Sequence, residues 1–495
     1  MKPVADIICR LRDYSMLEVD LDAGYAAELS EYFSFYVPGY KWMPAYKNKV
    51  WDGKIRLFNR MNGELPAGLY VYLLKFAAER GYTVDTEETD YGLPMQAEPV
   101  REFDKFLKVS NLPFPPRDYQ YDAVIKGLQR SRAILLSPTG SGKSFIIYLL
   151  IKYYMSMLQE KGKILIIVPT TSLVEQMYAD FEEYGMLVEN SCHKIYSGKD
   201  KVTKKRVIIS TWQSIYKYPK KWFEQFGMVI GDECHGFKSK SLSSIMNKAT
   251  QAKYRFGTTG TLDGTQTHKL VLEGLFGPVY NVTKTKNLQD DGTLAPLDIK
   301  VLLMNYPESV RQDFGKKTYA EEIDFIVGHE GRNRFIRNLA LGSDGNTLVL
   351  FQRVDAHGKP LFELISNKAE EGRKVFYVSG ETDTSDREAI RKIVEKQNNA
   401  VIVASLGTFS TGINIRNLHN IIFASPSKSQ IKVLQSIGRG LRQSDDGRTT
   451  KLFDIADDLH WKQQKNFTLL HSAERVKIYE KEQFKYKIIK VDLDG

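Results

Sequence analysis

The chain has 495 residues, 42% of them hydrophobic, and a formal net charge of +10. This composition is typical of a soluble protein with several domains, and excess positive charge favours polyanionic partners. The three cysteines, Cys9, Cys192 and Cys234, are far apart and lack metal-ligand spacing, and no apolar run is long enough to cross a membrane. We therefore expect a cytoplasmic protein with no disulfide framework, zinc site or membrane partner.

The first region, residues 1–105, is rich in aromatic and basic side chains. Helix-like stretches at 23–35 and 69–80 flank a strand-like run at 50–59, which predicts a small α/β or α+β domain. The proline-rich sequence NLPFPPR at 111–117 then predicts a hinge, because proline disfavours continuation of regular structure.

Short apolar runs then alternate with longer helical segments, which predicts parallel sheets covered by helices. A first set of runs lies within residues 106–295, and a second within residues 296–495. The runs are 133–136, 164–168, 206–209, 227–230 and 254–258, then 347–351, 374–378, 400–404 and 420–424. We predict one α/β domain for each set, and a solvated packing helix in the charged tail after Trp461.

A phosphate-binding loop follows the first run. Its sequence is SPTGSGKS, from Ser137 to Ser144, and an apolar helical segment comes next. Gly140 and Gly142 would let backbone N–H groups wrap phosphates, assisted by the helix N-terminus. Lys143 would reach the β and γ phosphates of ATP, and Ser144 would ligate Mg²⁺. We assign Thr139 and Ser141 to the same nucleotide site.

A second catalytic element is the sequence Asp232-Glu-Cys-His, which ends the run at 227–230. Adjacent carboxylates at a strand end suit ATP hydrolysis: Asp232 would hold Mg²⁺, and Glu233 would orient and deprotonate the attacking water. We interpret His235 as a link between hydrolysis and the segment 258–261, TTGT, in which Thr259 and Thr261 are the coupling residues.

With these elements the chain resembles superfamily-2 helicases of the DExH type over residues 116–458. The resemblance implies two tandem RecA-like domains. It identifies PRDYQ at 116–120 as the adenine-reading segment, with Arg117 and Gln120 at the nucleotide, and it places Thr170 and Thr211 in strand-contacting motifs. Two departures are Ser137, where the strict loop has glycine, and TTGT, where Ser-Ala-Thr is usual.

In the second half, SLGTFSTGIN at 405–414 resembles the fifth helicase motif, so Thr408 and Thr411 would touch the tracked strand. Asn414 stands where aspartate is common. The sequence QSIGRGLR at 435–442 matches the sixth motif. Arg439 and Arg442 would then be arginine fingers that reach the γ-phosphate, and Gln435 would take part in coupling.

The whole chain further resembles the UvsW family of recombination helicases from T-even phages. The stretches that carry this resemblance are 50–57 (VWDGKIRL), 164–171 (ILIIVPTT), 232–235 (DECH) and 378–381 (VSGE). It implies an ATPase that unwinds and migrates branched DNA such as Holliday junctions and stalled forks, and we expect the protein to be monomeric or weakly associating. It also implies action on R-loops and a substrate-selecting N-terminal domain.

The N-terminal domain allows two interpretations. Cations could pair with phosphates while rings stack on exposed bases, with Lys54 and Arg56 on one face of a strand and Ile55 and Leu57 on the other. Alternatively, Trp42 and Trp51 are core anchors and the lysines form a solvated face.

Four alternative functions can be weighed against this one. They are a double-strand DNA translocase, an RNA helicase without junction preference, a nucleic-acid scaffold with an inactive ATPase, and a P-loop kinase. Intact Lys143, Asp232, Glu233 and Arg439 speak against the scaffold. A kinase would explain neither the second half nor the basic first domain.

Overall fold

The computed structural model describes residues 5–86, 98–156, 162–196, 202–262, 265–314, 317–412, 415, 417–425, 437–438 and 449–493. Apart from four residues of the phosphate loop, the chain forms one compact unit up to Val282 and a second from Thr283. The predicted fold class is confirmed: two α/β sheets, each with seven parallel strands, and a small N-terminal α+β domain. None of the described helices is long and apolar enough to span a bilayer.

The small domain is a four-stranded mixed sheet beside a two-stranded ribbon. The sheet order is β5-β2-β1-β6, and β3 pairs with β4 in the ribbon. Its strands are β1 (Ile7–Leu11), β2 (Met16–Leu21), β3 (Ser34–Tyr36), β4 (Lys54–Arg56), β5 (Glu64–Pro66) and β6 (Val84–Thr86). Its helices are α1 (Ala23–Tyr32), α2 (Pro44–Lys47) and α3 (Tyr70–Arg80), with 3₁₀ turns at Tyr40–Trp42 and Ala67–Leu69.

The first large sheet has the strand order β13-β7-β12-β11-β8-β10-β9. Its strands are β7 (Arg132–Leu136), β8 (Lys163–Val168), β9 (Cys192–Ile195), β10 (Val207–Thr211), β11 (Phe226–Asp232), β12 (Tyr254–Thr259) and β13 (Val279–Asn281). The helices are α4 (Glu98–Val109), α5 (Asp118–Arg130), α6 (Lys143–Ser156), α7 (Thr171–Glu183), α8 (Val188–Ser191), α9 (Trp212–Ile215), α10 (Lys220–Phe223), α11 (Lys240–Lys248) and α12 (Gln266–Phe276), with a 3₁₀ turn at Cys234–Lys238.

Both faces of this sheet are buried, which explains its continuous apolar strands. In β8, Ile164 and Ile166 enter the core on one face, whereas Leu165 and Ile167 enter the core on the other. Helix α4 packs Phe103 and Phe106 into the first of these cores. Thus residue 105, where the sequence placed the end of the first domain, lies inside a helix of the large sheet's core.

The small domain joins the large sheet through a buried arginine. Arg255 of β12 is 1% exposed. Its guanidinium donates hydrogen bonds to Ser15 Oγ at 2.7 Å and to the carbonyl oxygens of Ala252 at 2.9 Å and Met246 at 3.0 Å. Because a buried donor without an acceptor is costly, the β1–β2 turn completes the environment of this strand.

A second contact lies at α12. The hydroxyl of Tyr72 donates to a carboxylate oxygen of Glu273 at 2.6 Å, and Leu270 lies in the core of the small domain. Gly68 permits this approach, because a Cβ at that position would lie 1.9 Å from the carbonyl oxygen of Glu273. Within the first unit, therefore, the small domain is packed against the large sheet.

The second large sheet has the order β16-β17-β15-β18-β19-β14-β20. Its strands are β14 (Leu297–Asn305), β15 (Thr347–Phe351), β16 (Val375–Val378), β17 (Val401–Ser405), β18 (Asn420–Phe423), β19 (Thr450–Asp458) and β20 (Tyr486–Asp492). The helices are α13 (Thr285–Asp290), α14 (Glu308–Phe314), α15 (Tyr319–Gly328), α16 (Glu330–Gly342), α17 (Lys359–Ser366), α18 (Thr384–Glu395), α19 (Leu406–Gly412) and α20 (Phe467–Lys481), with a π turn at Val354–Gly358.

The tail after Trp461 contains a helix that packs against the sheet, and it has two features that the sequence did not predict. Helix α20 buries Arg475, which is 1% exposed and pairs with Asp454 of β19 at 2.7 Å. The chain then adds β20 to the sheet beside β14. A sequence pattern predicts that an arginine is exposed. Arg475 is buried because Asp454, on a strand distant in the chain, neutralises its charge.

Candidate functional site

The strand order brings three predicted catalytic loops together. Strand β12 lies between β7 and β11, so the loops after these three strands emerge side by side at the carboxyl edge of the sheet. They carry the phosphate loop, Asp232 with Glu233, and the segment at 258–261. The backbone N–H of Ser137 donates to the carbonyl of Thr259 at 2.8 Å, which joins the first loop to the third.

The phosphate loop has the backbone that its glycines predict. Gly140 and Gly142 have φ values of +87° and +78°, a region that favours glycine. Helix α6 begins at Lys143, whose Nζ donates to the carbonyl of Ser137 at 3.2 Å. The hydroxyl of Ser141 donates to the carbonyl of Pro138 at 2.7 Å. Backbone N–H groups at a helix N-terminus form an anion site.

Gln120 lies directly against this loop. It is buried, and a Cβ added to Gly142 would lie 2.4 Å from its Nε2. Its Oε1 accepts a hydrogen bond from the backbone N–H of Arg117 at 3.0 Å, which fixes the orientation of the amide. The exposed guanidinium of Arg117 donates to the hydroxyl of Tyr119 at 3.0 Å. The adenine-reading segment is therefore adjacent to the loop that it is expected to serve.

Asp232 ends β11 as a buried carboxylate. Its Oδ1 accepts a hydrogen bond from the hydroxyl of Thr258 at 2.7 Å. The pKa of Asp232 is raised to about 6, mainly by burial of the carboxylate and secondly by repulsion from the Glu233 carboxylate. A divalent cation would offset both effects, and the hydroxyl of Ser144 with the carboxylate of Asp232 provides the hard oxygen donors that Mg²⁺ prefers. These residues therefore fit the ion that the phosphate loop implies.

Glu233, His235 and Thr259 form a polar cluster beside Asp232. The hydroxyl oxygen of Thr259 lies 2.9 Å from Nδ1 of His235 and 3.3 Å from Oε2 of Glu233. Glu233 has a φ of +50°, a strained value for a residue with a side chain. The hydroxyl of Thr261 is buried with no hydrogen-bond partner among the residues that the structure describes. Of the two predicted coupling threonines, Thr259 is the one in contact with Glu233.

Sequence reasoning missed Tyr184, which follows α7. Its hydroxyl lies 3.0 Å from Oγ of Ser144. The ring of Tyr184 packs edge-on against Phe145, with centroids 5.1 Å apart. The two polar groups are forty residues apart in the chain, and no local pattern predicts their contact.

The threonines predicted to contact the nucleic-acid strand lie at the ends of other β-strands. Thr170 follows β8 and caps α7, with its hydroxyl accepting from the N–H of Leu173 at 3.4 Å. Thr211 ends β10, where its buried hydroxyl lies 2.9 Å from that of Ser214. Since β8 and β10 follow β11 in the sheet order, these residues lie to one side of the phosphate loop.

In the second unit, Thr408 lies in the first turn of α19, after β17. Its buried hydroxyl oxygen accepts a hydrogen bond from Ser405 at 2.7 Å. Four further predictions concern groups outside the described parts of the chain. They are the side chain of Thr411 and the whole of Gln435, Arg439 and Arg442.

The cations of β4 are both paired with carboxylates. Lys54 Nζ lies 2.7 Å from Glu31, and its side chain is 19% exposed. Arg56 pairs with Asp52 and, by hydrogen bonding, lowers the pKa of that carboxyl to about 2. Strand β4 has three residues and is therefore shorter than the strand that the run at 50–59 predicted. Ile55 within it is only half-buried. The predicted basic face is thus engaged within the domain.

Three family models match the chain. They describe the N-terminal domain of the DNA helicase UvsW at residues 6–87, the res subunit of type III restriction enzymes at residues 94–264, and the helicase conserved C-terminal domain at residues 331–444.

Individual proteins match over nearly the whole length. The chain is 36% identical to the ATP-dependent DNA helicase uvsW of Enterobacteria phage T4, covering 99% of this chain and 100% of that protein. The crystal structure of T4 UvsW aligns over 99% of this chain and 100% of that one, with a TM-score of 0.52 and 34% identity. A fragment of an HsdR subunit of a type I restriction enzyme from Vibrio vulnificus, 17% identical, aligns over 86% of this chain and 74% of that one with a TM-score of 0.58, a likeness of fold alone.

Proposed function

Because this chain belongs to the UvsW family of ATP-dependent DNA helicases within superfamily 2, we propose that it unwinds and branch-migrates branched DNA. The substrates are Holliday junctions, stalled forks and R-loops, and the processes are recombination, repair and replication restart. The observation that carries this proposal is the edge of the first large sheet, where the phosphate loop, Asp232 and the Glu233–Thr259–His235 cluster are adjacent.

The residues of the first unit would hydrolyse ATP as follows. The loop amides and Lys143 bind the phosphates, and Gln120 reads the adenine edge. Glu233 orients the attacking water and takes its proton. The hydrogen bond from Thr259 orients Glu233, and Ser144 with Asp232 would hold Mg²⁺. When bound, the metal neutralises charge that develops on the transferred phosphoryl group.

The order of β-strands in the sheet supports a link between ATP hydrolysis and binding of the nucleic-acid strand. The hydrolysing loops follow β7, β12 and β11, and Thr170 and Thr211 follow the neighbouring β8 and β10. A shift in the loop after β11 would therefore reach the loops that contact the nucleic-acid strand through neighbouring strands of one sheet. Thr408 and Thr411 would grip the same strand from the second unit, and Arg439 and Arg442 would stabilise the phosphoryl transition state.

The test is strand displacement and ATP turnover on a four-way junction, a fork, an R-loop, a linear duplex of the same sequence and single-stranded RNA. We expect the fastest turnover and unwinding on the branched substrates. Lys143→Ala should abolish hydrolysis and spare DNA binding, whereas Lys105→Ala, whose side chain is 68% exposed on α4, should match the wild type. Stimulation by RNA alone, or equal activity on branched and linear DNA, would identify an RNA helicase or a plain translocase instead.

A further inference from the structure

Residues 37–53 form a projection from the small domain, between β3 and β4. The N–H of Val37 donates to the carbonyl of Gly53 at 2.9 Å and closes its base. Tyr36 stacks on Tyr40 with ring centroids 4.6 Å apart, and Tyr40 meets the ring of Tyr46 edge-on at 4.8 Å. These rings give the projection a fixed shape.

Trp42 is different from the other rings of the 37–53 projection. It is 79% exposed, and among the described residues it pairs with no other aromatic ring. The ammonium of Lys47 lies 5.7 Å from its ring centroid. Trp51, in contrast, is half-buried and donates from Nε1 to the carbonyl of Lys54 at 2.8 Å. An exposed tryptophan on an ordered scaffold offers a large, rigid aromatic face on which another ring can stack.

Three exposed lysines lie on the same projection as this ring: Lys41, Lys47 and Lys49. Within the described parts of the chain, none of them pairs with a carboxylate, unlike Lys54 and Arg56 of the adjoining ribbon. A cavity of about 550 Å³, formed by residues near Trp42 in the sequence, is lined by the three lysines with Tyr46, Val50, Trp51 and Asp52, and the Asp52 carboxylate is paired with Arg56. The 37–53 projection therefore combines a free ring face with uncompensated positive charge.

We propose that the 37–53 projection binds unpaired nucleotides of branched DNA, with one base stacked on Trp42 and the flanking phosphates held by Lys41, Lys47 and Lys49. The inference rests on the proposed function. Bases in a duplex are already stacked, so only an unpaired base gains from an exposed ring face. Uncompensated lysines suit phosphates and are depleted in protein–protein interfaces. A branch point supplies unpaired bases beside the duplex on which the motor acts.

The test uses the full chain and measures affinity for a single strand, a fork and a blunt duplex by fluorescence anisotropy. Trp42→Ala should weaken binding to the single strand and fork by about tenfold, in line with the loss of one stacked base. Binding to the duplex should not change, and Trp42→Phe should recover most of the loss. Met61→Ala is the matched control, because Met61 is an apolar residue of the same domain, 96% exposed and outside the projection.

The triple variant K41Q/K47Q/K49Q tests the phosphate contacts. Each lost contact reduces the slope of log affinity against log salt by about 0.7 for a single strand, so three contacts predict a change of about 2. An unchanged slope, or wild-type fork affinity in Trp42→Ala, would overturn the inference. So would an equal loss on duplex and fork, which would indicate a duplex-binding surface. If the wild type itself fails to unwind forks, the proposed function fails, whatever these variants do.

Discussion

The side chains of His235 and Thr259 are joined by a hydrogen bond of 2.9 Å between Nδ1 and Oγ1. The same hydroxyl lies 3.3 Å from the carboxylate of Glu233. His235 follows β11 and Thr259 ends β12, so the bond connects two neighbouring strand ends across the hydrolysis site. Because His235 Nδ1 also lies 3.3 Å from Glu233 Oε2, a change at either residue reaches Glu233 directly.

Thr259→Val should therefore lower kcat for ATP hydrolysis by about tenfold, since losing a hydrogen bond to a charged group costs about 1.5–3 kcal/mol. KM for ATP should change little, because Thr259 positions Glu233 and does not bind phosphate. Steady-state ATPase assays check both values. Thr261→Val is the comparison: its hydroxyl has no partner among the described residues, so its effect should be much smaller. Equal effects at both positions would contradict the assignment of Thr259.

Gln120→Glu should weaken ATP binding without unfolding the segment. The glutamate still offers an oxygen to the N–H of Arg117 but lacks the NH₂ group that lies beside Gly142 and would donate to the base. We expect KM for ATP to rise about tenfold, as for the loss of one good hydrogen bond. The KM for GTP should rise less. Equal increases for ATP and GTP would show that Gln120 supports the loop rather than reading the base.

The buried pair in the tail predicts a large loss of stability. Asp454→Ala removes the carboxylate that neutralises the buried Arg475, and breaking such a pair costs about 3–5 kcal/mol. On the same helix, Glu474→Ala removes an exposed partner of Lys477 and should cost less than about 1 kcal/mol. Urea denaturation followed by circular dichroism gives both values. Similar losses in the two variants would mean that the Asp454 pair contributes no more than a surface contact.

The contacts of Arg255 predict that the small domain stabilises the motor. Ser15→Val removes one of the acceptors of its guanidinium and should lower the free energy of unfolding by about 1 kcal/mol. Deleting residues 5–86 should lower the melting temperature of the first large sheet, in addition to any change in substrate choice. Ser156→Ala on α6, an exposed serine whose hydroxyl donates to the carbonyl of Lys152 in the same helix, is the control for the point variant. A deletion variant that melts at the wild-type temperature would contradict this view.

The sequence by itself determined the elements that depend on local chemistry. Apolar runs located the five central strands of the first sheet and β15, β17 and β18 of the second, because a strand covered on both faces needs unbroken hydrophobic side chains. The phosphate loop and the carboxylates at the end of β11 were also found, since their roles require particular residues at fixed spacing. The strands β9, β13, β14, β19 and β20 were missed. Several of them carry charged residues, and their pairing depends on a neighbour distant in sequence.

Only the tertiary structure decided which polar side chains are already engaged. In the sequence, Lys54 and Trp42 both belong to one region rich in basic and aromatic residues. In the structure, Lys54 forms an ion pair with Glu31, whereas Trp42 is exposed to solvent. Likewise, Ser144 meets Tyr184 and Arg255 meets Ser15 across long stretches of chain. A charge or a hydroxyl binds whatever the fold brings within about 3 Å, and that neighbour is set by packing rather than by adjacent residues.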